Sequence, residues 1–223
     1  MTEETTFLLN KEGVRERLNK YTRKAFRMLP DLDKPRILDI GCGSGVPTME
    51  LARLSVGEIT GLDIDQDLLN VLTRKIERAG LSDRVKTLKC SMFDMDLPKE
   101  SFDIIWAEGS IAAIGFKRGL KEWQRLLKPN GFLVIHDERG NIEEKLDHVS
   151  ACGYELLGYF TLNEDIWWDE YYSPLENLVH ETRTENADNP EVAGAIHKVR
   201  WELDMFKKNP ELNTSVFFVM KKN

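Results

Sequence analysis

Short apolar runs rich in β-branched residues alternate along the chain with longer stretches in which apolar residues recur at helical spacing. This alternation is typical of parallel strands that are joined by crossover helices. It predicts seven strands, at 36–40, 58–63, 85–90, 102–107, 132–137, 154–162 and 214–220. The predicted fold class is therefore α/β, a doubly wound and mostly parallel seven-stranded sheet with helices on both faces.

Helices are predicted between these strands, at 46–54, 65–79, 118–127 and 142–152. Ahead of the first strand, apolar residues at helical spacing predict one further helix over 13–29. This helix should end at Pro30, because proline cannot continue a helix.

The segment 163–213 separates the last two strands and is too long for a structureless loop in a compact domain. Helices are therefore predicted near 175–183 and 190–208, with a loop at 186–190. We interpret the chain as a single domain of 223 residues. Its predicted parts are an N-terminal helical cover (1–30), a core (36–162 and 214–221) and a helical insertion (163–213).

Charge and composition narrow the possible partners. The formal net charge is −7, so the field of the molecule repels phosphate backbones and disfavours nucleic acid as a substrate. No run approaches the roughly 18 apolar residues of a membrane span, and residues 1–10 lack the features of a secretory signal. These features predict a soluble, cytoplasmic protein. Cys42, Cys90 and Cys152 are too scattered for a disulfide framework or a zinc site, so no metal is expected.

The first predicted strand runs straight into three alternate glycines, Gly41, Gly43 and Gly45, and then into a helix. Glycine tolerates the positive φ of a sharp turn, and its bare backbone lets a ligand lie beside the helix N-terminus. Dinucleotide-binding proteins use G-x-G-x-x-G at this point. Here Val46 occupies the sixth position of that fingerprint, and Asp39 stands two residues before the first glycine. A Walker loop is excluded because no Gly-Lys-Ser/Thr follows.

Polar residues also stand at the ends of the next two predicted strands. Asp63 ends the second strand, where a carboxylate can accept both hydroxyl protons of a ribose. Ser91 and Met92 follow the third strand and could contact the edge and the face of an adenine. Three consecutive strand ends therefore predict one nucleoside site.

These motifs resemble those of class I S-adenosylmethionine (SAM)-dependent methyltransferases, and the likeness runs from about residue 36 to 137. The segments 101–106 and 126–133 are similar to two sequence blocks of that family, and 105–123 resembles a narrower group of microbial small-molecule methyltransferases. The resemblance implies a Rossmann-like sheet with an antiparallel last strand. It also implies that the insertion covers the substrate.

SAM is the cofactor that the resemblance implies, with S-adenosylhomocysteine (SAH) as product. The glycine turn would line the methionine part, Asp63 would bind the ribose, and Asp39 would reach the methionine amino group. Many members of the family have an Asp near the adenine amine, where this chain has Ser91. The expected cofactor-binding residues are Asp39, Gly41, Cys42, Gly43, Gly45, Asp63, Ile64, Ser91, Met92 and Ala107.

Methyl transfer from a sulfonium needs alignment of the acceptor, exclusion of water and, where the acceptor carries a proton, its removal. Glu108 directly follows the fourth strand and is the leading candidate for a base or an acceptor contact. The alternative is a capping or solvent-exposed acid. His136, near the end of the fifth strand, is the second candidate base, with a hydrogen-bonded core histidine as its alternative.

The densest aromatic cluster of the chain lies in the insertion and comprises Trp167, Trp168, Tyr171 and Tyr172. It could form an aromatic wall for an apolar or cationic acceptor, or it could pack the insertion onto the sheet. Tyr21, on the N-terminal helix, could close the other side of the site or belong to the core.

The sequence therefore predicts an enzyme that transfers a methyl group from SAM to a small-molecule acceptor, and it is compatible with a homodimer. Two alternatives stay open. One is a SAM-binding or nucleotide-binding regulator without catalysis. The other is an NAD-dependent oxidoreductase, which would bind NADH and not SAM.

Overall fold

A computed structural model describes residues 3–185 and 190–223. Its contacts divide the chain into two compact units. The sheet unit comprises Tyr21–Thr161 and Ser215–Asn223, and the helical unit comprises Met1–Lys20 and Leu162–Thr214. The division into one domain with a cover and an insertion stays a prediction.

Seven strands form one sheet in the order β3-β2-β1-β4-β5-β7-β6. The strands are β1 (Arg36–Ile40), β2 (Glu58–Asp63), β3 (Val85–Lys89), β4 (Phe102–Glu108), β5 (Leu127–Glu138), β6 (Tyr154–Leu162) and β7 (Ser215–Lys222). The pairs from β3 through to β5 are parallel, and β7 runs antiparallel to β5. The predicted doubly wound sheet with an antiparallel last strand is confirmed.

Between β1 and β6, five α-helices connect the strands: α3 (Val46–Leu54), α4 (Gln66–Arg78), α5 (Ile111–Ile114), α6 (Phe116–Trp123) and α7 (Ile142–Ala151). The predicted start of α4 is confirmed, since the Asp65 carboxylate accepts the backbone N–H groups of Asp67 and Leu68. Its end is set by Gly80, which adopts a φ of +66°.

The sheet buries a different set of side chains on each face. Ile105, Leu133 and Ile135 pack with Leu120 and Trp123 in one continuous cluster of buried residues. Because successive side chains of a strand point to opposite faces, the alternate positions of β4 carry Trp106 and Glu108 to the other face. On that face the ring of Phe26 lies 6.2 Å from the ring of Trp106. Glu108, the polar residue that ends β4, therefore lies on the same face of the sheet as Phe26.

The prediction of a single helix over 13–29 is wrong. The structure has two helices, α1 (Glu3–Glu16) and α2 (Asn19–Phe26). Between them, the N–H groups of Arg17 and Leu18 bond to carbonyls three residues back, which tightens and ends α1. Neither glycine nor proline marks this break. A helix was predicted over 118–127. The observed helix, α6, is shorter and begins two residues earlier, and the short helix α5 was not predicted.

Helices make up the second unit. They are α1, α8 (Glu164–Trp167), a π-helical turn (Trp168–Tyr172), α9 (Ser173–Glu185), α10 (Pro190–Lys208) and a 3-10 turn (Pro210–Asn213). The predicted helices near 175–183 and 190–208 are confirmed, and the loop predicted at 186–190 lies mostly outside the described residues. In the described part of the chain, no helix has the length and the apolar character that crossing a membrane requires.

The side chain of Arg84 stabilises the loop between α3 and β2. Its guanidinium donates to the carbonyls of Ala52 at 2.6 Å, Ser55 at 3.0 Å and Gly57 at 3.2 Å, which joins the end of α3 to the start of β2. Arg84→Lys cannot reproduce this fork and should cost about 1–3 kcal/mol of unfolding free energy, measured by urea denaturation. Arg78→Lys, at an exposed position of α4, is the control. Equal losses in the two variants would contradict the assignment.

Candidate functional site

The order of strands reverses between β1 and β4, which are neighbours in the sheet. In a doubly wound sheet, ligands bind outside the carboxyl ends of the strands at such a point. Asp39 near the end of β1, Asp63 at the end of β2 and Glu108 at the end of β4 are carried to this edge. The structure therefore brings together the three acidic residues that the sequence analysis selected.

The glycine turn after β1 depends on Gly41 and Gly45 for packing as well as for backbone conformation. Their φ angles are +73° and +84°, which L side chains rarely adopt. A Cβ atom at Gly41 would collide with the side chain of Ser110, and one at Gly45 would collide with Leu72. Ser110 is held there because its hydroxyl donates to the carbonyl of Ile40 at 2.6 Å. Protein atoms therefore fill the space beside these two glycines.

Gly43 differs from the other two glycines because open space lies beside it. A Cβ atom there would meet nothing closer than Leu68 Cδ1 at 4.0 Å, although the φ of +53° still favours glycine. The N–H of Gly43 donates to Asp63 Oδ2 at 2.8 Å, and the N–H of Asp65 donates to Asp63 Oδ1 at 2.9 Å. The Asp63 carboxylate thus points toward the glycine turn, and each oxygen keeps a lone pair for a further donor.

The ends of β2 and β3 are joined by a backbone hydrogen bond from Cys90 to Asp63. After β3, the Ser91 hydroxyl accepts the N–H of Phe93 at 3.3 Å, so it stabilises its own turn. Met92 reaches toward the turn after β1, since its Cε lies 3.6 Å from the Cβ position of Gly41. The structure thus places both residues predicted for this edge beside the other two strand ends.

Large apolar side chains are exposed around these strand ends. Ile64 is 67% exposed, Phe93 50% and Leu68 39%. Exposed apolar surface of this kind is typical of a place where a ligand packs. The sequence analysis selected Ile64 but missed Leu68 and Phe93. The sequence does contain a signal for Leu68, because this apolar residue lies in the first turn of α4 on the side of the helix that the hydrophobic pattern predicts to be exposed.

Asp39 is 1% exposed, and its Oδ2 accepts the hydroxyl of Thr48 at 2.6 Å. Burial raises the pKa of this carboxyl to about 7, and the charges of Glu108 and Asp63 add to the increase while the Thr48 hydrogen bond opposes it. The Asp39 carboxyl is therefore partly protonated at neutral pH.

Two of the predicted cofactor residues are packed into the protein. Cys42 is buried, and its Sγ lies 3.0 Å from the Cβ position of Gly61. Burial raises the pKa of the Cys42 thiol far above its usual range, so the thiol is inert. Ala107 is fully buried in the cluster on the face opposite to Glu108. At both positions the side chain packs against protein atoms.

Glu108 is held by two neutral donors. Its Oε1 accepts the hydroxyl of Thr22 at 2.8 Å and the indole N–H of Trp106 at 2.9 Å. Thr22 is 1% exposed and lies on α2, so a long-range contact fixes the carboxylate at the end of β4. Thr22 was missed by the sequence analysis because no local pattern links it to Glu108.

His136 lies beside Glu108 across the β4–β5 pair. Its ring is buried, with Nε2 2.8 Å from the hydroxyl oxygen of Ser215 and the ring centroid 4.1 Å from that of Phe217. These surroundings are those of a hydrogen-bonded core histidine.

The aromatic cluster belongs to the helical unit. Tyr171 and Tyr172 are buried, whereas Trp167 and Trp168 are half-buried. Tyr172 donates to Asn213 at 3.2 Å, and burial raises the pKa of its phenol to about 12. The two tyrosines therefore pack inside this unit.

Tyr21 lies on α2 and is half-buried.

Within residues 3–185 and 190–223, no group of three or more His, Cys, Asp and Glu residues could hold a metal ion.

Comparison with known proteins assigns the family. A family model described as a methyltransferase domain matches residues 32–178. The chain is 33% identical over 189 residues to a sterol 24-C-methyltransferase of Neurospora crassa, which covers 77% of this chain and 48% of that protein. The chain thus spans about half the length of this curated relative.

Solved structures share the fold. The cyclase SpnF is 21% identical, with a TM-score of 0.73 over 91% of this chain and 80% of SpnF. A SAM-dependent methyltransferase from Geobacter sulfurreducens in complex with SAH is 19% identical, with a TM-score of 0.71 over 93% of this chain and 91% of that one. Because the family model spans more than half of the sequence, the chain belongs to the methyltransferase domain family.

Proposed function

We propose that this protein transfers a methyl group from SAM to a small-molecule acceptor. The observation that carries the proposal is the Asp63 carboxylate, which points to the glycine turn beside the open backbone of Gly43. The family assignment and the likeness of the Geobacter sulfurreducens methyltransferase support it.

The residues present fit the parts of SAM. Asp63 has lone pairs for the two ribose hydroxyls, and Gly43 leaves room for the methionine part against the backbone. The exposed surfaces of Ile64, Leu68 and Phe93 can pack on the adenine. Each portion of the cofactor therefore has a chemically suitable partner at one edge of the sheet.

Charge favours SAM over a dinucleotide. Three acidic residues lie at the carboxyl edge of the sheet, Asp39, Asp63 and Glu108. The negative charges of Asp63 and Glu108 contribute to the raised pKa of Asp39. A sulfonium and an ammonium group are attracted to such a cluster, whereas the pyrophosphate of NAD is repelled. The NAD-dependent alternative is accordingly disfavoured.

When bound, SAM would supply an activated methyl group, which would pass to an electron pair of the acceptor while the electrons of the C–S bond stay on sulfur and leave SAH. The protein's contribution is placement and removal of water. Thr22 and Trp106 fix the Glu108 carboxylate at the end of β4, where it can contact the acceptor or accept its proton. His136 joins β5 to β7 through its hydrogen bond with Ser215.

A small-molecule acceptor is favoured by the net charge of −7, which repels nucleic acid. The relative from Neurospora crassa is by its name a methyltransferase of a small molecule, a sterol. The acceptor contact predicted for Trp167 and Trp168, which are half-buried in the helical unit, stays a prediction.

A second candidate function is cofactor binding without methyl transfer. It is favoured by the likeness to SpnF, which is a [4+2]-cyclase with the same fold. Fold alone does not determine the reaction, so binding and transfer need separate measurements.

Calorimetry tests cofactor binding first. The full chain should bind SAM and SAH and should not bind NADH. Asp63→Asn should weaken SAM binding by about 10- to 100-fold, because an amide replaces one acceptor oxygen with a donor. Asp67→Asn, at an exposed position of α4, should leave the affinity unchanged. Transfer of labelled methyl to a small-molecule library then separates the enzyme from a binding protein, and tight NADH binding would overturn the proposal.

Two glycine variants separate the site from the fold. Gly43→Ala meets open space and carries only the strain of its φ, so it should keep its melting temperature within several degrees and lose SAM affinity. Gly45→Ala collides with Leu72 and should destabilise the whole sheet unit. Differential scanning calorimetry with and without SAM measures both effects. Undiminished SAM binding by Gly43→Ala would show that the ligand does not approach this backbone.

Glu108→Gln tests the role of the carboxylate at the end of β4. The amide can still accept from Thr22 and Trp106, so the fold should persist, while kcat with an identified acceptor should fall by about 100-fold or more. His136→Gln should act mainly on stability, because the ring is buried beside Ser215. A Glu108→Gln enzyme with unchanged turnover would remove Glu108 from the mechanism.

A further inference from the structure

Thr48 is a buried polar residue to which the sequence analysis assigned no role. It lies in the first turn of α3, directly after the glycine turn, and it is fully buried. Its hydroxyl donates to Asp39 Oδ2 at 2.6 Å. This bond crosses from the helix to the strand and fixes the direction of the carboxylate.

Asp39 needs such a donor because its surroundings oppose its charge. The carboxylate is 1% exposed, and the donor that reaches it from α3 is a neutral hydroxyl. The charged groups that face it from the neighbouring strands are Asp63 on β2 and Glu108 on β4, both of the same sign. The Cys42 thiol in the following turn stays protonated. An ionised Asp39 is therefore costly in the empty site and is stabilised when a cation binds.

We propose that Thr48 is a positioning residue for cofactor binding, which orients the Asp39 carboxylate through its hydrogen bond so that the carboxylate attracts the ammonium group of SAM. The inference rests on the proposed function. Binding is then linked to release of a proton from Asp39, because the carboxylate must be charged to interact with the cation.

The sign of the pH dependence follows from the hydrogen bond. A donor to the charged form of a carboxyl lowers its pKa, so removal of the Thr48 hydroxyl raises the pKa of Asp39 above its value of about 7. At neutral pH the variant then has less ionised Asp39 and binds SAM more weakly. At pH 8 a larger share of the carboxyl is ionised, and the difference in affinity between the variant and the wild type becomes smaller.

The experiment is a calorimetric titration of the full chain with SAM and SAH between pH 6 and pH 8, and each variant is compared with the wild type at the same pH so that loss of the proton of the ligand amine cancels. Wild-type affinity for SAM should rise with pH between 6 and 7, with a net release of protons on binding. Thr48→Val should bind about tenfold more weakly at pH 7, with its pH profile displaced upward. Thr48→Ser keeps the hydroxyl and should restore the wild-type profile. Asp39→Asn should bind weakly at every pH.

Melting curves without ligand provide an independent reading. A buried Asp with a raised pKa loses stabilisation as the pH rises from about 4 to about 7, since the unfolded chain releases its proton first. Asp39→Asn should therefore raise the melting temperature more at pH 8 than at pH 5, and Thr48→Val should lower it more at pH 8.

Two results would overturn the inference. One is a Thr48→Val profile that coincides with the wild type. The other is a loss of affinity by the same factor at every pH, which would mean that Thr48 only supports the fold. Failure of the wild type to bind either SAM or SAH would instead refute the proposed function, while the ligand-free melting curves would still test the Thr48–Asp39 pair.

Discussion

The hydrogen bond from the Gly43 N–H to Asp63 Oδ2, at 2.8 Å, is the contact on which the site depends. It joins the turn after β1 to the end of β2, and it turns the carboxylate toward the edge where the strand order reverses. The turn can reach this position because Gly43 adopts a positive φ. One backbone donor thus sets both the shape of the turn and the direction of the acid.

Local chemistry made much of this predictable. The bounds of β1, β2 and α3 were predicted as they are observed, because an apolar run, a glycine turn and a terminal acid are all signals within a few residues. The break between α1 and α2 could not be predicted, since no helix-breaking residue marks it. Contacts between distant segments, such as Thr22 with Glu108, follow from the packing of α2 on the sheet and have no local pattern.

The acidic edge of the sheet illustrates a conflict between stability and binding. Asp39 is buried beside two like charges, which disfavours its ionised form in the empty protein. Neutral donors offset part of this cost, with Thr48 on Asp39 and with Thr22 and Trp106 on Glu108. The presence of the acidic cluster in this chain is best explained by a cationic ligand.

The most direct test of this account is the backbone amide signal of Gly43 in a 1H–15N NMR titration with SAM. If the cofactor lies against the open backbone beside Asp63, this signal should move by one of the largest amounts in the spectrum and saturate together with the calorimetric binding curve. A protein that binds SAM while the Gly43 signal stays unchanged would contradict the central claim.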